Sequence, residues 1–531
     1  MEIQYLGEHL FPGNAGRFAL VLAFVSALIA AFAYLQASTS KSNDSRQWRH
    51  WGRIAFRTHS LLVLMASFFL FYILLNRFYE YRYVWAHVEN NLGLGYMISA
   101  FWAGQEGSFL FWTLCQAVFG NLLIRYAKTW ESPVMTFFAL SQGFMVSMML
   151  GWKLGSLQIG MSPFVLLRHL PEYASEPLFQ NPNYVSMILD GNGLNPLLRN
   201  FWMLSHPPIL FIGFAAILVP FSYALAGLWR KQYHQWIRPA LPWTLLGVLF
   251  LGAGLLLGGV WAYESLTFGG FWAWDPVENA SLVPWLVLVA ALHTMLISNK
   301  RKNNLFPTFL FTILAFILVI YSTFLTRSGV LSDTSVHSFG NDGMGRQLVV
   351  YIFSFLILSL VLIFRNLRAF PARESEEPFT REFWLFIGAL VLVLSAFQII
   401  FTTSIPVLNR VAGTNLAPPS DVVAHYNAWQ LPFAIVLALL IGATHFIKWG
   451  NNDMKKFLRS VILSLALALI GTILILVFYK ITMPGFLLYV FAALFALFSS
   501  LDLVLRFYRQ YATNGAIVSH LGIALFLLAI M

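Results

Sequence analysis

The chain has 531 residues, of which 59% are hydrophobic and 10% are charged, and 50 of them are phenylalanine. This composition excludes a soluble protein with a single buried core, and it favours a membrane protein. The net charge of +11 is weak support for nucleic-acid binding, because loop topology accounts for basic residues in membrane proteins. The single cysteine, Cys115, excludes an internal disulfide framework and any Cys-x-x-Cys redox or zinc site.

Hydropathy predicts about fourteen membrane-spanning helices, because a span requires about 20 consecutive apolar residues. The first apolar run is followed by basic residues rather than by a small-residue cleavage site, so we expect it to be retained. We therefore expect an all-α polytopic integral membrane protein, with residues 1–531 forming a single transmembrane helical domain. The approximate limits of the predicted spans are 17–36, 56–76, 107–126, 133–152, 207–228, 241–260, 282–299, 305–326, 348–366, 384–404, 430–448, 458–478, 483–503 and 515–531.

Basic residues are distributed unevenly between the two sides of this predicted bundle. If the odd-numbered spans run inward, 23 of the 33 lysine and arginine residues fall on the inner side. Inner loops of membrane proteins carry an excess of such residues, so we expect the N-terminus to be outside. The outer segments are then 153–206, 261–285, 327–347 and 405–429.

A tryptophan-rich segment separates the sixth and seventh predicted spans. Trp272, Trp274 and Trp285 lie close to the acids Asp275 and Glu278. An aromatic floor at a membrane interface suits a flat, hydrophobic and partly charged ligand, and haem is the leading candidate. The alternative is an aromatic belt, in which tryptophans anchor helix ends at the depth of the lipid headgroups. Both acids also suit the N-terminus of the following helix, where negative charge is favourable.

Two histidines flank this segment in sequence, and both lie on the predicted outer side. His206 precedes Pro207 and Pro208, which fit the first turn of a helix and would place His206 just outside that helix. His337 lies in the outer loop after the eighth span. Arg327, at the outer end of that span, suits either a ligand carboxylate or a snorkelling position at the membrane surface.

Two further histidines lie within predicted spans. His293 is about 9 Å from the inner end of the seventh span, and His520 is about 8 Å into the fourteenth, at a rise of about 1.5 Å per residue. Histidines at matched depths suit bis-histidine ligation of a b-type haem. Alternatively, each hydrogen-bonds a neighbouring helix. We expect His445, near an inner span end, to have a role at the cytoplasmic edge rather than as a ligand.

Residues 268–281 (FGGFWAWDPVENAS) resemble the tryptophan-rich WWD signature of the haem-handling proteins that build c-type cytochromes. Within that superfamily the chain is similar to the CcmF family. The motifs that carry this resemblance keep their order along the chain. They are Gly-Gln-Glu-Gly-Ser at 104–108, Asp-Gly-Asn-Gly-Leu-Asn-Pro-Leu-Leu at 190–198, His-Pro-Pro at 206–208, Phe-Leu-Thr-Arg-Ser-Gly-Val-Leu-Ser at 324–332 and His-Leu-Gly at 520–522.

The resemblance implies a haem lyase of cytochrome c biogenesis in a bacterial inner membrane, with outer loops that form a haem-handling platform. Such a protein receives haem from a membrane-anchored haem chaperone. It joins the two vinyl groups of this haem in transit to the Cys-x-x-Cys-His thiols of apocytochrome c on the outer side. Thiol-presenting partner subunits, membrane lipid and quinol are the further expected partners, and nucleic acid is not expected.

The resemblance also implies roles for individual residues. His206 and His337 are expected to ligate the iron of the incoming haem, and His293 and His520 to hold a resident haem b that acts as reductant. The segment that faces the incoming haem contains the expected catalytic residues. These are Trp272, Trp274 and Asp275, and we add Arg327 as the partner of the haem propionates.

Three alternatives stay open. One is a haem exporter and synthase of the fused single-complex cytochrome c pathway, which needs a haem site open to the inside. Another is a paralogue dedicated to a multihaem nitrite reductase. The third is a secondary transporter, against which the sequence offers no matching pair of broken helices.

Overall fold

A computed structural model describes residues 4–155, 157–173, 175–265, 270–301, 304–331, 344–370, 378–450, 452–480, 483–506 and 515–530. Within these ranges, twelve helices are long and apolar enough to cross a membrane, so the predicted all-α polytopic architecture is confirmed. The predicted spans 133–152 and 515–531 correspond to shorter helices of 17 and 15 residues. The orientation of the bundle stays a prediction.

Nine helices precede the tryptophan-rich segment in the part of the chain that the structure describes. They are α1 (Leu10–Thr39), α2 (Ser42–Leu75), α3 (Arg82–His87), α4 (Leu94–Ala103), α5 (Gln105–Tyr126), α6 (Glu131–Ser147), α7 (Tyr184–Met187), α8 (Trp202–Trp229) and α9 (Ile237–Glu264). Two short antiparallel strands lie between α6 and α7, namely β1 (Trp152–Leu154) and β2 (Leu157–Ile159). Single 3-10 turns occur at Lys128–Trp130, Leu167–His169, Pro177–Gln180, Pro196–Leu198 and Leu367–Ala369.

Nine helices follow the tryptophan-rich segment in the described ranges. They are α10 (Pro276–Arg301), α11 (Leu305–Arg327), α12 (Gly345–Asn366), α13 (Arg381–Thr403), α14 (Ile405–Ala412), α15 (Val422–Thr444), α16 (Met454–Tyr479), α17 (Pro484–Arg506) and α18 (Gly515–Ala529).

The long helices keep apolar side chains on their outward faces. On α2, for example, Leu61, Leu64 and Phe68 are all more than half exposed. Residues three and four positions apart share one face of an α-helix, so these side chains form a continuous stripe. A helix satisfies its backbone N–H and C=O groups internally, which a segment surrounded by lipid requires. The exposed stripes are therefore the surfaces that face lipid.

The chain divides into two compact units. The first comprises Met1–Leu288 and Thr312–Ala369, and the second comprises Val289–Phe311 and Phe370–Met531. In the first unit α1 packs on α2 and α6, and α8 packs on α9. In the second unit α15 packs on α13 and α17, and α17 also packs on α16 and α18. The single transmembrane domain predicted from the sequence thus contains two groups of helices, and each group packs mainly within itself.

In the first unit, the segment after α6 folds back onto the residues that begin α3. The N–H of Arg82 donates to Val165 O at 2.9 Å, and the N–H of Leu167 donates to Glu80 O at 2.8 Å. These hydrogen bonds lie on either side of an isolated β-bridge. This part of the predicted outer segment 153–206 is therefore folded against the residues at the start of α3.

The N-terminal segment joins the same region through Glu8. This carboxylate accepts hydrogen bonds from Arg168 Nε and from the Tyr184 hydroxyl, both at 2.5 Å. Burial alone would raise the pKa of Glu8, but the hydrogen bonds from Arg168 and Tyr184 outweigh it and lower that pKa. The ion pair therefore ties the chain ahead of α1 to the folded outer segment.

In the second unit, small residues allow α15, α17 and α18 to approach closely. Ala438, Ala496 and Ala524 are fully buried within one cluster. Alanine at helix interfaces lets backbones approach closely in a membrane, where packing replaces the hydrophobic driving force between helices. The Tyr489 hydroxyl also donates to Leu527 O at 2.5 Å, which fixes α18 against α17.

Candidate functional site

The tryptophan-rich segment leads directly into α10 and has an unusual backbone. Trp274 has a φ of 57°, in the left-handed region that bulky residues rarely adopt. The rings of Trp272 and Trp274 lie nearly perpendicular, at 89°, with their centroids 6.0 Å apart. Strained conformations of this kind persist only where the surrounding structure fixes them, and they concentrate at functional sites.

A capping box at the start of α10 holds this conformation in place. Asp275 Oδ1 accepts the N–H of Val277 at 2.8 Å, and Glu278 Oε2 accepts the N–H of Asp275 at 3.0 Å. Asn279 Nδ2 also donates to Trp274 O at 3.0 Å. The expectation that both acids cap the following helix is therefore confirmed. The expected catalytic role of Asp275 stays a prediction.

His206 lies inside α8, which corrects the expectation that it precedes the helix. The helix begins at Trp202, whose N–H donates to Asn200 Oδ1 at 3.1 Å. The Asn200 side chain thus satisfies the N–H of the first helical residue, ahead of Pro207. Pro207 supplies no N–H to Met203 O, four residues earlier, and Trp102 Nε1 donates to that carbonyl instead at 3.0 Å.

The hydrogen bond of His206 selects one tautomer of its ring. Nδ1 lies 2.8 Å from Gly254 O of α9, so Nδ1 carries the proton and donates it to this carbonyl. The lone pair is therefore on Nε2. A neutral imidazole oriented through Nδ1–H is the usual form of a metal-ligating histidine.

Glycines on α9 make room for the side chains around His206. A Cβ at Gly258 would lie 2.8 Å from His206 Cε1, and a Cβ at Gly259 would lie 2.6 Å from Phe271 Cζ. The Trp261 ring meets the His206 ring edge-on, with centroids 5.7 Å apart. We refer to these aromatic residues collectively as the aromatic site. It comprises His206, Trp261, Phe271, Trp272 and Trp274.

Several buried hydrogen-bond donors in the same region have no partner among the described residues. These donors are the indole N–H groups of Trp261 and Trp272 and the hydroxyl of Ser205, the neighbour of His206. Buried donors are nearly always satisfied in native proteins, so each exception calls for an acceptor. Carboxylate groups, such as the two propionates of haem, accept hydrogen bonds of this kind.

The other predicted residues of the first unit that the structure describes lie on α5, α10 and α11. Arg327 ends α11, with its Cζ 5.4 Å from the centroid of the Phe109 ring. Trp285 Nε1 donates to Val248 O at 3.0 Å, so this tryptophan packs between α10 and α9. Cys115 lies within α5 with a half-buried side chain. His337 falls in residues 332–343, which lie outside the described residues.

The structure brings His293 and His520 together in the second unit. Their ring centroids are 6.3 Å apart and their planes differ by 14°. Two imidazoles on opposite sides of one metal, at metal–nitrogen distances of about 2.0 Å, have centroids about 6.3 Å apart. His293 Nδ1 lies 2.8 Å from Val289 O, so its proton is on Nδ1 and its lone pair is on Nε2. The pair therefore fits the axial positions of a haem.

Two protein ligands are fewer than a bare metal ion usually takes, but they are enough for haem iron. Among the described residues, no group of three or more histidine, cysteine, aspartate or glutamate side chains could hold a metal. A porphyrin supplies four nitrogen ligands itself and needs only two from the protein. Two histidines are therefore sufficient for haem.

Sequence reasoning missed a third histidine beside this pair. The His445 ring lies 5.2 Å from the His520 ring, at an angle of 60°, rather than apart from the pair. Its Nε2 is 3.1 Å from Ser500 Oγ. His445 directly follows α15, and its position in sequence near a span end gave no sign of this contact.

Comparison with known proteins places these features in a family. The family described as cytochrome C assembly protein matches residues 102–331. The chain is 33% identical to the cytochrome c-type biogenesis protein CcmF of Pseudomonas aeruginosa, over 83% of this chain and 64% of that protein. It is 30% identical to CcmF of Pseudomonas fluorescens, over 87% of this chain and 67% of that protein. The chain thus spans about two thirds of the length of these relatives.

A solved structure shows the same fold. The structure titled cytochrome c heme lyase CcmF matches all of this chain and 78% of its own length, with a TM-score of 0.75 and 23% identity. The matched family segment 102–331 contains His206, the tryptophan-rich segment and Arg327. Sequence and fold agree, and the chain belongs to the CcmF family of cytochrome c-type biogenesis proteins.

Proposed function

We propose that the protein is a haem lyase that attaches haem to apocytochrome c. The observation that carries this proposal is the arrangement at His206. Its Nδ1–H is held by Gly254 O, its lone pair is on Nε2, and the Trp261 ring lies beside it. A histidine ligand within aromatic walls suits haem that must be bound and later released.

The aromatic site has groups for each part of a haem substrate. His206 Nε2 ligates the iron, and the faces of Trp272 and Trp274 lie along the edge of the porphyrin. The indole N–H groups of Trp261 and Trp272 and the Ser205 hydroxyl donate to the propionates. Arg327 supplies a positive charge to the same carboxylates. His337 supplies the second axial ligand, as the family resemblance implies.

The reaction that this arrangement serves is the addition of two thiols to two vinyl groups. In each addition a C–S bond and a C–H bond form, while an S–H bond and the π bond of the vinyl group break. The addition consumes no electrons and releases no leaving group. The protein therefore contributes by holding the vinyl carbons near the thiols, which raises their effective concentration. One axial imidazole then gives way to the histidine of the Cys-x-x-Cys-His motif.

His293 and His520 would hold a resident haem b in the second unit. Their 6.3 Å separation and nearly parallel planes support this assignment. When bound, the resident haem supplies single electrons that keep the substrate haem ferrous. The chain orients His293 through its Nδ1–H, which Val289 O accepts. We propose quinol as the source of these electrons.

The proposed setting is a bacterial inner membrane, with the aromatic site on its outer side. The excess of basic residues in the alternate loops supports this orientation. Haem arrives from a haem chaperone, and apocytochrome c arrives with the subunits that present its thiols. The exposed apolar stripes of the long helices support the membrane location.

Complementation of a strain that lacks its own haem lyase tests the proposal. We expect His206→Ala to abolish the covalent haem stain of a reporter cytochrome c and to retain the absorbance of the resident haem. The matched control is His50→Ala, on an exposed part of α2, which keeps both signals. Wild-type haem staining with His206→Ala contradicts the proposal.

A second arm of this experiment separates attachment from export. Haem supplied on the outer side replaces the product of an exporter, so it restores cytochrome assembly if the protein only moves haem. A protein that attaches haem is still required under those conditions. We therefore expect added haem to leave the His206→Ala strain without covalent cytochrome c.

A further inference from the structure

The histidine that follows α15 contacts the resident-haem pair, and its hydrogen bond defines its tautomer. Ser500 Oγ lies 2.8 Å from Ala496 O and donates its single proton to this carbonyl. The same oxygen lies 3.1 Å from His445 Nε2, so it acts there as the acceptor. His445 therefore carries its proton on Nε2 and has its lone pair on Nδ1.

His520 lacks the hydrogen bond that its partner has. His293 donates Nδ1–H to Val289 O at 2.8 Å, whereas the buried Nδ1 of His520 has no partner among the described residues. Ligation of iron through Nε2 leaves the proton of a neutral imidazole on Nδ1. A metal-ligating histidine almost always donates that proton to a nearby acceptor. His520 therefore requires an acceptor close to its Nδ1.

The separation of the two rings is right for such a hydrogen bond. An N–H···N hydrogen bond of about 2.9 Å between two imidazoles places their ring centroids about 5.2 Å apart. The centroids of His445 and His520 are 5.2 Å apart. The two rings meet at 60°, and the hydrogen bond itself requires the His520 ring to turn about its Cβ–Cγ bond, a soft torsion, while His445 keeps its contact with Ser500.

We propose that His445 is a positioning residue for the resident haem, because it accepts the Nδ1–H of the axial ligand His520. This inference rests on the proposed bis-histidine haem. The resulting chain of hydrogen bonds runs from His520 through His445 and Ser500 to Ala496 O. It fixes the rotation of His520 and makes its Nε2 a stronger donor to iron.

The proposal has a consequence for the redox potential of the resident haem. A ligand that donates more electron density stabilises ferric iron relative to ferrous iron, which lowers the midpoint potential. Loss of the His445 acceptor removes this stabilisation of ferric iron, so the midpoint potential rises. A tenfold change in the relative stability of the two oxidation states corresponds to about 59 mV for one electron. The effect is therefore measurable by redox titration.

The experiment is a redox titration of the purified full-length protein, followed by its visible spectrum. We expect His445→Ala to raise the midpoint potential by about 59 mV, equivalent to a tenfold loss of ferric preference. His445→Gln retains an acceptor oxygen, so its potential should return toward the wild-type value. Ser500→Ala removes the group that holds the His445 tautomer, so we expect a smaller rise.

Ser499→Ala is the matched control. Ser499 is the neighbour of Ser500 on α17, is fully buried, and has no hydrogen-bond partner among the described residues. We expect the midpoint potential of Ser499→Ala to equal that of the wild type. Loss of haem in His445→Ala with retention in His445→Gln also supports the proposal, because only the acceptor distinguishes these variants.

Three outcomes contradict specific parts of the argument. An unchanged potential in His445→Ala with haem still bound overturns the hydrogen bond and leaves the resident haem in place. Loss of haem in both His445 variants shows that the ring is needed for packing and overturns the acceptor role. A wild-type protein without bound haem contradicts the resident haem itself, and with it the basis of this inference.

Discussion

Trp102 donates its Nε1–H to Met203 O, the carbonyl that Pro207 leaves without a helical N–H partner. Met203 is buried, and a buried carbonyl without a partner costs free energy. The hydrogen bond therefore joins α4 to the first turn of α8, directly ahead of His206. The position of His206 depends on a tryptophan about 100 residues earlier in the chain.

Trp102→Phe keeps an aromatic ring and removes the donor. We expect a loss of about 1–3 kcal/mol in the stability of the contact between α4 and α8, because Met203 O is left unsatisfied. Covalent haem staining of the reporter cytochrome should fall, while the absorbance of the resident haem is retained. Trp51→Phe, on an exposed part of α2, is the control and should behave as wild type. Full cytochrome assembly with Trp102→Phe would show that this hydrogen bond does not position His206.

Gly258→Ala should damage the aromatic site by displacing His206. The added Cβ would lie 2.8 Å from His206 Cε1, closer than side-chain carbons approach each other. We expect haem attachment to fall at least tenfold, since small misplacements of a binding group reduce rates by up to about 100-fold. Gly388→Ala is the matched control, because its Cβ meets only Leu440 Cδ1 at 3.7 Å. Equal activity of the two variants contradicts the close packing at Gly258.

Two substitutions of Asp275 separate its role as a helix cap from a role of its negative charge in catalysis. Asparagine caps helices as well as aspartate does, so Asp275→Asn should keep the start of α10 and the conformation of Trp274. Asp275→Ala removes the cap, at a cost of about 0.5–2 kcal/mol. If Asp275 acts only as a cap, Asp275→Asn supports cytochrome assembly and Asp275→Ala does not. Loss of assembly in Asp275→Asn, with normal protein levels, assigns a catalytic role to the charge.

The Glu8 ion pair predicts how the N-terminal segment responds to acid. The pKa of Glu8 is lower in the folded protein than in the unfolded chain. The charged carboxylate therefore stabilises the folded state at any pH above the pKa that Glu8 has in the unfolded chain. This contribution is lost as the pH falls through the lowered pKa. The protection factors of residues 4–9 in hydrogen exchange, which correct for the intrinsic pH dependence of exchange, should therefore fall in acid in the wild type. In Glu8→Gln these protection factors should be low already at neutral pH and change little with pH. A control, Asp44→Asn on the exposed start of α2, should follow the wild type.

Hydropathy predicts which segments cross the membrane, since each span is long and apolar whatever its neighbours are. It does not predict rotation about the helix axis, because the exposed faces are apolar as well. The matched depths of His293 and His520 identify them as candidates for one ligand set. Only the rotation of α10 and α18 brings the rings to 6.3 Å.

The contacts that sequence reasoning misses are those between distant helices. The contact of His445 with His520 depends on how α15, α17 and α18 pack, and no local motif records that packing. His59 is another example, since its ring is fully buried between Ala23 O at 3.0 Å and Gln142 Oε1 at 2.9 Å. The two prolines also hide the early start of α8, where Asn200 Oδ1 accepts the N–H of Trp202.

The position of Cys115 has a consequence for selectivity. A site that brings vinyl groups close to thiols also exposes them to any thiol of its own. In this chain the single thiol lies within α5 with a half-buried side chain, and the segments predicted to lie outside contain no cysteine. Under the proposed function, this arrangement keeps the vinyl groups of haem from reacting with the thiol of Cys115.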